Sequence, residues 1–119
     1  MTTLKLRLLF DGAMLGPGKA ELLGHIRDTG SISAAGRQMG MSYSRAWALV
    51  EEMNHAFAAP LVLSARGGTK GGGAQLTETG AEVLRLYRSV EDKALQAAAP
   101  EIAALKALLQ TSLDIRHKK

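Results

Sequence analysis

Apolar positions change period several times along the chain, and each change marks an element. Leu4, Leu6, Leu8 and Phe10 alternate with Lys5, Arg7 and Leu9. That alternation predicts a half-buried strand, free to join a later hairpin as its third member. Gly12 and Gly16 bracket a loop, and Pro17 favours a helical start. From Pro17 to Thr29 the apolar spacing turns helical, with Leu22, Leu23 and Ile26 inward, and Gly30 stops the helix. Ser31 or Ser33 can cap a second, short helix in which Ala34, Ala35 and Met39 pack closely. Gly40 ends it, because a residue without Cβ adopts the left-handed conformation at no steric cost. Ser42 then caps a third helix running to about Phe57, with Ala46, Leu49, Val50, Met53 and Phe57 on one buried face.

Beyond Pro60 the period returns to two. Leu61, Leu63 and Ala65 alternate with Val62, Ser64 and Arg66, Gly67 to Gly73 form a tip, and Gln75 to Thr77 return as a second strand. Thr77 can cap a long helix carrying Val83, Leu84, Tyr87, Val90, Ala94, Leu95 and Ala98 as a stripe. A second stripe of Ile102, Leu105, Leu109 and Leu113 follows Pro100. Lacking an N–H, Pro100 must kink the helix or divide it. So long an apolar tail exceeds what a small domain needs, which points to a dimer interface.

This order of elements predicts a mainly α fold with a small β-sheet: a winged helix-turn-helix over residues 1–78 and a helical dimerisation segment over 78–119. The device holds one helix in a DNA major groove with a basic loop beside it. Opposite the buried face, the third helix begins with Tyr43, Ser44, Arg45, Trp47 and Ala48. Arg45 suits bidentate pairing with a guanine, and Tyr43 and Ser44 suit a phosphate or a base. Ser33, Ser42 and Trp47 complete the candidate DNA contacts on the helices, and Arg66, Thr69 and Lys70 supply those of the wing. Glycines around Lys70 let backbone approach a phosphate.

Charge placement supports this more than the formal net charge of +4 does. No acid lies between Asp28 and Glu51, where Arg37 and Arg45 stand, nor between Glu52 and Glu78, where Arg66 and Lys70 stand. A duplex binder needs such a positive face. Length allows one domain. Absence of cysteine excludes disulfides and thiolate metal sites and fits a cytoplasmic protein. Lys5 and Arg7 interrupt any signal-peptide core, and no segment is long enough to span a membrane. A nucleotide phosphate loop is excluded because Lys70 precedes its glycines and Ala74 leads into a strand. No enzyme is expected: adjacent Glu51 and Glu52 point about 100° apart on a helix, and His25, His55 and His117 show no metal spacing. Neither cofactor nor metal is called for.

The segments GSISAAGRQMGMSYSRAWALVEEMN, GGTKGGG and LTETG resemble the N-terminal DNA-binding domain of the ModE-type molybdate-responsive transcriptional regulators, relatives of the LysR-type winged helices. The resemblance runs from the first strand to roughly Tyr87; the region past Ser89 departs from the family pattern. It implies a homodimer on a roughly palindromic double-stranded operator, with Ser42 to Trp47 matching the start of the recognition helix and Gly67 to Gly73 the wing. Family members commonly carry a C-terminal pair of small β-barrel domains that bind molybdate. This chain ends at Lys119, so a regulator of molybdenum-related genes that does not itself bind molybdate is expected. The alternative is a winged-helix interaction module that does not bind an operator.

Overall fold

Asp11 and Gly12 turn the N-terminal segment back on itself. In the computed structural model, which describes residues 2–65 and 73–110, β1 (Leu8–Phe10) pairs antiparallel with β2 (Ala13–Leu15). Phe10 faces Ala13 across a two-residue loop in which Gly12 takes φ 80°, a geometry Asp-Gly pairs favour in tight hairpins. This corrects two expectations. The first strand does not join the wing, and the stretch from Gly12 to Gly16 is mostly strand rather than loop. The local turn satisfies the ladder at once, and the place beside the wing is taken by Gly30, whose carbonyl accepts from the Ala74 N–H at 2.9 Å.

The helix-turn-helix follows its punctuation. α1 (Pro17–Thr29) opens on proline and closes at Gly30 (φ 72°), whose N–H returns to the Ile26 carbonyl. Leu22, Leu23 and Ile26 are wholly buried. Ser31, not Ser33, caps α2 (Ile32–Gln38), accepting from the Ala34 N–H at 3.0 Å. Gly40 is left-handed (φ 72°). Ser42 caps α3 (Tyr43–Ala56) by accepting from the Arg45 N–H at 3.1 Å. The two helices meet at small residues: a Cβ on Gly36 would stand 3.0 Å from that of Ala46.

β3 (Val62–Ala65) and β4 (Gly73–Leu76) form the stem of the wing, with Val62 opposite Leu76 and Ala65 opposite Gly73. Simple alternation fails at its start. Leu61 and Val62 are both buried, whereas Leu63 is 52% exposed. Leu61 precedes the strand, its N–H bonded to the Asn54 side chain and its carbonyl to the Thr77 N–H. Val62 therefore takes the inward strand position and Leu63 turns out.

Thr77 caps α4 (Glu78–Ala97) through the Gly80 N–H at 2.9 Å, while its hydroxyl donates to the Pro60 carbonyl at 2.7 Å. Leu84 and Tyr87 complete the core. The Tyr87 hydroxyl donates to the Leu6 carbonyl at 2.5 Å, which ties the N-terminal segment to α4. Burial, aided by the Glu91 carboxylate, pushes the phenol up from its ordinary range, so it stays protonated and donating.

At Ala98 (φ −94°, ψ 5°) the helix divides rather than kinks, and α5 (Ala99–Ala107) restarts with Pro100 in its first turn, where a missing N–H costs nothing. No residue of α5 is buried, and Leu105 and Leu108 are 64% and 82% exposed. Leu86, Val90 and Leu95 on α4 are exposed too. Leu113 and the basic end from Arg116 to Lys119 lie outside the described residues.

Candidate nucleic-acid interface

The inward face of α3 decides what its outward face can present. Ala46, Leu49, Val50 and Met53 are buried, so Tyr43, Ser44, Arg45 and Ala48 stand outward at its start. Tyr43 is 54% exposed. Arg45 is exposed and makes no ion pair among the described residues. Trp47 differs from the other four: it is half-buried against the core, and its indole N–H donates to the Tyr43 hydroxyl. The rings meet edge to face, with centroids 6.2 Å apart and planes at 85°. Trp47 thus braces Tyr43 from below.

Two of the predicted serines act locally. Ser42 spends its hydroxyl on the cap, 3.3 Å from that of Ser44. Ser33 is half-buried and accepts from the Arg37 guanidinium at 2.9 Å. Arg66, Thr69 and Lys70 lie outside the described residues.

The electrostatics favour an anion at this end. Neither α2 nor α3 has an acid in its first turn, and both helix N-termini carry the positive end of the peptide dipole. Acids appear only farther along α3: Glu51 lies 3.6 Å from His55, and Glu52 pairs with Lys19 at 3.0 Å.

Two positioning residues escaped the sequence reading. Asn54, on α3, accepts from the Leu61 and Val62 N–H groups at 2.8 and 3.1 Å and donates to the Val62 carbonyl at 3.1 Å. It joins α3 to the start of β3. Lys19, with a side chain only 9% exposed, donates to the Met14 carbonyl at 3.1 Å and reaches Glu52, joining β2 and α1 to α3. Its signal was present: Lys19 precedes Leu22, Leu23 and Ile26 at i, i+3, i+4 and i+7, on the buried stripe. Asn54 had none beyond its place on a helix before a strand.

Among the described residues no His, Asp or Glu cluster could hold a metal, and no helix is long and apolar enough to cross a membrane.

Residues 19–81 match the family of bacterial regulatory helix-turn-helix proteins of the lysR type. The chain is 48% identical over 80 residues to the molybdenum-pterin-binding protein MopB of Rhodobacter capsulatus, covering 67% of this chain and 30% of that protein. It is 44% identical over 71 residues to the DNA-binding transcriptional dual regulator ModE of Escherichia coli (strain K12), covering 60% and 27%. With the transcriptional regulator ModE of Yersinia pestis it shares 37% over 114 residues, covering 92% and 41%. The chain thus spans less than half the length of these relatives. The matched segment coincides with the helix-turn-helix, the wing stem and the start of α4. The chain belongs to the lysR family of bacterial regulatory helix-turn-helix proteins and is similar to part of ModE.

Proposed function

We propose that this chain binds a specific operator as a homodimer and acts in molybdenum-related gene control. The observation that carries the reading is the outward presentation of Tyr43, Ser44 and Arg45 at the start of α3, with Arg45 free of any acid among the described residues. N-terminal residues of a recognition helix are those that reach base edges. In this reading Arg45 pairs with a guanine and Ser44 takes a base or phosphate. Tyr43, held by Trp47, does the same, and Ser33 and Ser42 lie against the backbone. Arg66, Thr69 and Lys70 add phosphate contacts from the wing. The molybdenum link is taken from the names of relatives such as MopB.

Residues 1–78 read DNA and residues 78–119 dimerise. Support for the second role is the apolar surface of Leu86, Val90, Leu105 and Leu109, which this subunit leaves exposed. Two-fold pairing would set the recognition helices one DNA turn apart, roughly 34–36 Å. Sedimentation equilibrium is expected to give twice the chain mass at micromolar concentration; a monomer throughout would remove the dimer.

The function is tested by mobility shift with genomic fragments. Arg45→Ala should lose about 1–3 kcal/mol on the selected operator and little on random duplex. Equal, small losses on both would take Arg45 out of base readout. No retarded fragment even at low salt would defeat operator binding altogether.

A further inference from the structure

Beside the recognition helix lies a recess of about 340 Å³, between the end of β2, the start of α1 and the flank of α3. Its walls carry three cations, Arg7, Lys19 and Arg45, against one carboxylate, Glu52. Lys19 and Glu52 answer each other at 3.0 Å. Arg7 and Arg45 are exposed and form no ion pair among the described residues. Arg7 lies across Gly16, where an ideal Cβ would meet Arg7 Cγ and Nε at 3.6 Å. Its side chain therefore lies against the N-cap of α1. Arg45, Leu49 and Glu52 follow one another at i, i+4 and i+7, so one wall of the recess is the side of α3 itself.

We propose that this recess receives a phosphate of the DNA backbone, with Arg7 as its ligand and Arg45 on the rim between phosphate and bases. The inference rests on the DNA-binding reading above and adds a contact region that borders the recognition-helix start at Arg45 and lies apart from the wing. A helix seated in a major groove about 12 Å wide has a sugar-phosphate strand along each flank. A cationic hollow on the side of that helix meets such a strand. Exposed arginines hold a small free oxyanion weakly against water. A phosphate tethered in a duplex is delivered to them by the neighbouring contacts, and binding releases its condensed counterions.

The first turn of α1 offers a second handle on the same place. Gly16 gives no side-chain cap, and no acid stands in that turn. A Cβ on Gly18 would meet nothing within 4 Å, so a larger residue fits there. A carboxylate at that position complements the helix dipole and supports the fold, yet repels a phosphate. Gly18→Glu therefore separates folding from binding by sign.

The test uses the full chain and a random-sequence duplex, by fluorescence anisotropy over a series of salt concentrations. Arg7→Ala should weaken binding about 3- to 10-fold and flatten the logarithmic salt slope by about one unit. Gly18→Glu should weaken it too, with a thermal midpoint equal to or above that of the parent chain. Lys5→Ala, which removes a nearby cation outside the recess, should lose less than Arg7→Ala. Parental affinity and slope in Arg7→Ala, or equal losses in Lys5→Ala and Arg7→Ala, overturn the recess while leaving DNA binding intact. Arg7-dependent calorimetric binding of inorganic phosphate or molybdate, with DNA affinity unchanged, overturns it in favour of a free-oxyanion site. No duplex binding by the parent chain overturns both readings.

Discussion

Gly80→Ala is expected to remove about 3 kcal/mol or more of folding stability, the upper end of what overpacking costs. A Cβ at Gly80 would stand 2.1 Å from the Leu61 carbonyl oxygen, 2.9 Å from its carbon and 3.2 Å from its Cα. All three are backbone atoms, and none can swing aside. Leu61 is held at its N–H by Asn54 and at its carbonyl by the Thr77 N–H. Relief requires α4 to tilt away, which uncovers Leu84 and Tyr87 at about 1.5–3 kcal/mol per side chain. The opposing gain in helix propensity, about 1 kcal/mol for glycine to alanine, is too small to compensate. Urea unfolding followed by circular dichroism measures the difference. A parental midpoint in the alanine variant would show that α4 does not approach Leu61 as described.

Asn54→Ala should lose about 2–4 kcal/mol, because it leaves the Leu61 and Val62 N–H groups and the Val62 carbonyl without their side-chain partner. Asn54→Asp keeps the two acceptor bonds but sets a carboxylate oxygen in place of the donor against the Val62 carbonyl, so a loss of stability is expected there as well. The functional effect differs from that of Arg45. Freed from α3, the wing stem no longer sits at a fixed distance from the recognition helix, and binding to all duplexes should weaken together. Unfolding and anisotropy on the same preparations separate the effects. A stability change within about 0.5 kcal/mol, the range of neutral surface substitutions, would mean that the clamp contributes nothing.

These two residues show where the fold was legible in sequence and where it was not. Boundaries set by local chemistry were readable. Pro17 and Gly30 bound α1, Gly40 and Ser42 mark the turn, and Pro100 forces the division at Ala98. The exposure of Tyr43, Ser44 and Arg45 followed as the complement of a buried face. Asp11-Gly12 carried a hairpin signal, but alternation through Phe10 favoured a longer strand and hid it. What could not be read depends on partners distant in the chain. Gly80 looks like any glycine early in a helix until Leu61 is laid against it. Asn54 is an ordinary polar helical residue until Leu61 and Val62 reach its amide. Ser33 reads as a cap by composition, but Ser31 alone has the extended backbone a cap requires.

The bond from Tyr87 to Leu6 joins residues 81 positions apart, and this bears on how the protein is made. During synthesis the amino-terminal hairpin can close as soon as it emerges, since its pairing is local. Leu6 cannot receive Tyr87 until half of α4 has left the ribosome, and the loop closed by that contact is long and costly in entropy. Docking of the segment before β1 thus waits for α4, and a nascent chain stalled before α4 would present that segment undocked.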